Sequence, residues 1–184
     1  CRGLTVLPGA IDMHVHMRGR VQSGKEDWKS GSMSAIAGGV TMVVDQPNTI
    51  PPLITEETFR ERISEAARDS VCSYAINGGV LARTDLAALW GAGAMAFGEI
   101  FAAPSSYGES LDAPALKASL ATIGRLGGLA TIHAEEAMPG SPSDLATHNR
   151  LRGPAGETRA VNRIAGWQHH CHIHFCHLST ASAV

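Results

Sequence analysis

Apolar and polar positions alternate in two rhythms along the chain. Short apolar runs stand at "AIDMHVH" (10–16), "GVTMVVD" (39–45), "CSYAING" (72–78), "AMAFGEIF" (94–101), "GLATIHA" (128–134) and "CHIHFCH" (171–177). Runs of this length, apolar on both faces and bounded by glycine or polar residues, predict buried parallel strands. Between them lie helical patterns. "KEDWKSGSMSAIAGG" is acidic at its start and ends in glycines that suit a helix terminus. "TEETFRERISEAARD" opens at Thr55, has Glu57 and Thr58 in its first turn and sets Phe59, Ile63 and Ala66 or Ala67 on one face. "TDLAALWGAG", "DAPALKASLATIGRLGG" and "GETRAVNRIAGW" complete the series.

Strand, helix and strand in repetition predict an α/β protein with a parallel sheet. Six such units in 184 residues fit an open doubly wound sheet or most of a (β/α)8 barrel, which takes about 250 residues. No dinucleotide glycine signature follows the first strand. The polar "HVHMRGR" stands there instead, at the strand end where a barrel keeps its chemistry. Two segments rich in Pro, Gly and Ser, 102–112 and 137–156, read as long rim loops and candidate lids.

Composition narrows the function classes. With 44% hydrophobic residues, 17% charged and a net charge of -2, the chain reads as an ordinary soluble domain with enough apolar material for a core. Its basic residues are dispersed, which disfavours nucleic acid, and no apolar run approaches the ~20 residues of a membrane span. "CRGLTVLPG" lacks the features of a secretory signal, and the four cysteines form no CxxC pair. A reducing, cytoplasmic setting is the expectation.

The candidate chemistry lies in the histidines. Residues two apart on a strand share a face, so Asp12, His14 and His16 point the same way. Two imidazoles at one strand end suit a metal ion, with Asp12 deeper as a partner orienting them. Among nine histidines the pair alone is a weak signal, since His170/His172 and His172/His174 repeat the spacing. Other strand ends strengthen it. "TIHAEE" puts His133 at the rim, "HFCHLST" puts His177 there, and "FGEIF" places Glu99 in an otherwise apolar strand, where an unpaired charge is costly. His169 and His170 read as turn residues, His172 and His174 as ordinary strand positions, and His148 as exposed.

Taken in order, "VLPGAIDMHVHMR", "KEDWKSGSMSAIAGGVTMVVDQPNTIPP", "IHAEE" and "HFCHLSTASA" resemble the cyclic amidohydrolases of the amidohydrolase superfamily, and within them the dihydroorotase family. The resemblance implies a (β/α)8 TIM barrel of the amidohydrolase type, with His14, His16, His133 and His177 as metal ligands. It implies zinc, one ion or two, and substrate binding through Arg18 and Asn48 of "QPNT". A guanidinium and an amide side by side suit a planar carboxylate. The implied reaction is reversible closure of N-carbamoyl-L-aspartate to L-dihydroorotate in pyrimidine biosynthesis. A homodimer and association with aspartate transcarbamoylase are the partners implied.

The chain departs from that pattern in two places. Where many members carry a carboxylated lysine, "FGEIF" offers Glu99, whose carboxylate lies roughly 3–4 Å nearer the backbone. Either the backbone moves inward, helped by Gly98, or the site holds a single ion; at least one zinc is expected. The family's catalytic Asp of strand eight falls beyond Val184, and residues 1–9 read as the exit from a small β-sandwich. The expectation is therefore a portion of a longer protein: residues 10–184 as barrel strands one to six, with little turnover alone. Allantoinase or another cyclic amidohydrolase, and a non-catalytic homologue kept as a scaffold, are the alternatives.

Overall fold

The computed structural model describes residues 2–104 and 110–184. Six strands alternate with helices: β1 (Ala10–Val15), α1 (Trp28–Ala37), β2 (Val40–Asp45), α2 (Glu56–Asp69), β3 (Ser73–Ile76), α3 (Leu86–Gly91) and β4 (Phe97–Phe101). The series continues with α4 (Ala113–Arg125), β5 (Leu129–His133), α5 (Leu145–Leu151), α6 (Pro154–Ala165) and β6 (His172–Phe175). Each strand falls inside the run predicted for it and is shorter.

Helix starts follow local capping chemistry. Asp27, Asp85, Asp112 and Asp144 each accept a backbone N–H three residues on, and Thr55 and Thr58 cap one another reciprocally at the head of α2. The Asp144 cap seeds α5 inside the segment 137–156 predicted to be a loop, and Pro154 opens α6 at the first helical position, where its missing N–H costs nothing. The other predicted loop, 102–112, lies partly outside the described residues.

The strands pair in parallel as β1-β2-β3 and β4-β5-β6. A bridge joins the two sheets: Gly78 pairs with Phe97, its N–H donating to the Ala96 carbonyl and its own carbonyl accepting from Gly98. Strand order is thus sequential throughout, and every strand presents its C-terminal end to the same rim. One apolar cluster runs beneath both sheets, with Val43, Phe59, Phe97, Leu120, Ile123, Ile132 and Ile164 fully buried. Burying each such side chain contributes about 1.5–3 kcal/mol. Among the described residues, no helix is long and apolar enough to cross a membrane.

The face of α2 carries one residue more than its predicted pattern. Phe59 and Ala66 are buried and Ile63 packs half-buried against the core, and Arg62 joins them with its side chain 1% exposed. The reason is a partner: Nε and Nη2 of Arg62 lie 2.9 and 2.8 Å from Oδ2 of Asp45, itself fully buried at the end of β2.

Candidate metal centre

Four strand ends meet at one carboxylate. Glu99 has a side chain 5% exposed, and both its oxygens face imidazoles. On Oε2, His14 Nε2 stands at 3.7 Å and His16 Nε2 at 3.8 Å. On Oε1, His177 Nε2 stands at 2.7 Å and His133 Nδ1 at 3.1 Å. The five candidate ligands predicted from strands one, four, five and six are therefore brought together, in two pairs divided between the two oxygens.

The question of reach raised by Glu99 is answered by the backbone of β4. The register between β4 and β5 slips between Phe97 and Ile100, at Gly98–Glu99. Gly98 has φ +124°, and a Cβ there would lie 2.1 Å from the Thr131 carbonyl oxygen, so only glycine fits. The bulge carries the glutamate to the histidines.

Asp12 does not take the predicted role. Its Oδ1 accepts the backbone N–H of His14 at 3.1 Å, and the residue is exposed, as is β1 on both faces from Ala10 to Met13. The other histidines stay outside the cluster: His148, His172 and His174 are exposed, and the His169 and His170 rings pack on each other with centroids 4.0 Å apart.

Electrostatics fit a cation site. Burial works against a charge on Glu99, but hydrogen bonds with His133 and His177, and the His14 imidazole nearby, overcome it and hold the carboxyl well below the usual carboxylate range. Burial, aided by the Arg18 charge, pushes His16 down to about 4, so its ring is neutral at pH 7, as a ligand's must be. The Glu99 hydrogen bond raises His133. Burial and the charge of Glu99 push the Cys176 thiol up to about 12, so the neighbour of His177 is a thiol, not a thiolate ligand.

The donor set fits a divalent metal. Ligands at ~2.1 Å in tetrahedral array stand about 3.4 Å apart, and the four histidine–Glu99 distances of 2.7 to 3.8 Å bracket that spacing. One nitrogen of His14 and one of His177, with a Glu99 oxygen, all lie within 4.8 Å of one another.

Arg18 and Asn48 meet beside this cluster. Asn48 Nδ2 donates to Glu99 Oε2 at 3.3 Å, and Arg18 Nη1 donates to the Asn48 carbonyl at 3.3 Å. They are held from below by residues that periodicity passes over. Asp45 Oδ1 accepts the Met17 N–H at 2.8 Å, and Arg62 Nη1 donates to the Arg18 carbonyl at 2.8 Å, fixing the turn after His16, where Arg18 has φ +43°. A cleft of about 430 Å³ opens from Asn48 and Glu99, walled by Ile50, Pro52, Ile54, Val80 and Phe101, with Lys25 at its edge. Its polar floor and apolar walls suit a small ring carrying polar substituents.

The turn after β6 has its own anchor. Glu157 of α6 accepts from the backbone N–H groups and hydroxyls of Ser179 and Thr180, at 2.6 to 3.2 Å, two residues past His177. The signal in the sequence is a Glu in a first helical turn near "HLST"; periodicity says nothing of what it holds.

Solved structures share the fold. The fold matches L-hydantoinase (dihydropyrimidinase) from Arthrobacter aurescens with a TM-score of 0.87 and 22% identity, over 96% of this chain and 43% of that one. It matches D-hydantoinase (dihydropyrimidinase) from Thermus sp. with a TM-score of 0.76 and 22% identity, over 96% and 42%. The fold is thus shared with these hydantoinases: α/β with parallel strands.

Sequence comparison gives the particular family. The Dihydro-orotase-like family model matches residues 3–123, so the chain belongs to that family. The dihydroorotase of Methanosarcina acetivorans is 39% identical over 99% of this chain, and that of Halobacterium salinarum 40% identical over 97%. The chain spans 41% and 44% of those relatives' lengths.

Proposed function

We propose that this chain is the metal-binding portion of a dihydroorotase, with residues 10–184 forming strands one to six of a (β/α)8 barrel and zinc as the metal. The sequential order of six parallel strands and the match to less than half of the L-hydantoinase chain support the barrel reading. Leu4, Val6 and Leu7, each more than 70% exposed, support a role for residues 1–9 in packing against further structure.

The observation that carries the reading is the division of four imidazoles between the two oxygens of Glu99. It favours two ions, with Glu99 taking the place of a carboxylated lysine between them. A bound cation supplies a Lewis acid that brings the pKa of water toward 7 and polarises a carbonyl. The chain's own residues do the rest. Glu99 offsets positive charge between the histidine pairs. Arg18 and Asn48 hold the substrate carboxylate, and the apolar walls of the cleft exclude water from the ring. Asp45 and Arg62 keep the Arg18 backbone in place.

The test is binding rather than turnover. Calorimetric titration of the zinc-loaded chain with L-dihydroorotate, N-carbamoyl-L-aspartate and allantoin should show preference for the two carboxylates. Arg18→Ala should weaken carboxylate binding at least about tenfold, the worth of one charge-assisted hydrogen bond. Tighter binding of allantoin, unaffected by that substitution, would instead assign the site to a carboxylate-free ring.

A further inference from the structure

Two residues beside the second histidine pair have no part in the reading above. Glu135 follows β5 by two positions, and its Oε2 lies 3.5 Å from His133 Nε2, the ring nitrogen turned away from Glu99. The Arg152 guanidinium, from the turn between α5 and α6, donates to the same Glu135 oxygen through Nη1. Its Nη2 donates to the Pro104 carbonyl at 2.6 Å, so the guanidinium ties the loops after β4 and β5 together. Glu135 is 16% exposed and Arg152 26%, both at the wall of a cavity of about 350 Å³ that also reaches His177.

We propose that Glu135, held by Arg152, is a positioning residue that selects which nitrogen of His133 faces the metal; this rests on the cluster being a metal centre. A neutral imidazole carries one N–H and one lone pair, and a carboxylate only accepts. With a cation between Nδ1 and Glu99, Glu135 at Nε2 would retain the proton there and leave the Nδ1 lone pair to the cation; without one, Nδ1–H donates to Glu99 at 3.1 Å. Metal-binding histidines are oriented in this way by the acceptor on their other nitrogen. Arg152 has a second effect. A free carboxylate this near a cation would compete as a ligand, but the guanidinium occupies the facing oxygen and offsets its charge. The segment 137–156, predicted to be a lid, thereby anchors the histidine through Arg152.

Zinc affinity of each site tests this, measured by competition with a chromophoric chelator on the wild-type chain, Glu135→Ala and Glu135→Gln. Long-range proton–nitrogen correlation spectra of the zinc-loaded protein give the tautomer of His133. The expected result is two zinc sites in the wild type and His133 protonated on Nε2. In Glu135→Ala, one site should weaken about ten- to a hundredfold, with the other unchanged and the melting temperature of the zinc-free chain retained. Glu135→Gln, whose amide oxygen still accepts, should recover part of the loss, and it carries the test if the alanine variant does not fold. Unchanged affinities, equal weakening of both sites, or a His133 tautomer protonated on Nδ1 would overturn the proposal. A wild-type chain that binds no zinc would overturn the metal reading itself, a separate outcome.

Discussion

Replacing Arg62 with alanine tests how the site is supported from beneath. In the native chain the guanidinium is 1% exposed and the Asp45 carboxylate fully buried. The pair is completed by bonds from Arg62 to the Arg18 carbonyl and from Met17 to Asp45, and by the guanidinium carbon 4.9 Å over the Trp28 ring. Burial pushes the Asp45 carboxyl above its ordinary value, and Arg62 opposes that. Removing the arginine leaves an uncompensated buried charge, which costs about 3–5 kcal/mol, out of the about 5–15 kcal/mol that holds a domain folded. The double variant Arg62→Met, Asp45→Asn removes both charges and keeps an acceptor for Met17. It should lose at least about 1 kcal/mol less than the losses of Arg62→Met alone and Asp45→Asn alone summed.

Urea unfolding followed by circular dichroism measures each loss. The pH dependence gives an independent check on Arg62→Ala. With Arg62 gone, burial is opposed only by the Met17 N–H and the Arg18 charge, and the folded carboxyl titrates above the unfolded value of about 3.9. The folded variant then holds a proton that the unfolded chain has released, so its stability falls as pH rises through that window and recovers as pH falls toward 4. A loss under about 1 kcal/mol, strict additivity in the double variant, or a deficit independent of pH would refute the reasoning.

Gly98→Ala should lower the melting temperature and abolish zinc binding, because its Cβ meets the Thr131 carbonyl and the bulge that delivers Glu99 cannot form; thermal scans and zinc analysis check both. Glu157→Ala should cost about 1–3 kcal/mol in urea unfolding, the worth of bonds to a charged acceptor. The Glu157 carboxyl is held below its ordinary value by its bonds to Ser179 and Thr180, which outweigh its burial. Its contribution is therefore present above the unfolded value of about 4.3 and is lost as pH falls through the folded one. The stability gap between wild type and variant should narrow under acid.

Pattern carries much of this molecule. Short apolar runs bounded by glycine or polar residues mark all six strands, and caps such as Thr55 and Asp112 mark helix starts within a residue or two. His14, His16, His133, His177 and Glu99 are recognisable because each is a polar residue at the end of an apolar run, where burial demands a reason. Arg62, Glu135 and Arg152 are not, since their roles depend on partners far along the chain: Arg62 looks like one more polar position of a helix until Asp45 is placed under it. Asp12 fails for a related reason. Strand alternation assigns its face, but alternation cannot tell that this stretch of β1 is exposed on both faces.

The account depends most on Glu99 dividing four imidazoles into two cation sites. Equilibrium dialysis against buffered zinc, with metal analysis of the wild-type chain and of the double variant His14→Ala, His16→Ala, measures this directly. The account predicts two zinc ions per chain in the wild type and one in the variant. A wild-type chain that holds none, or a variant that holds as many as the wild type, would contradict it.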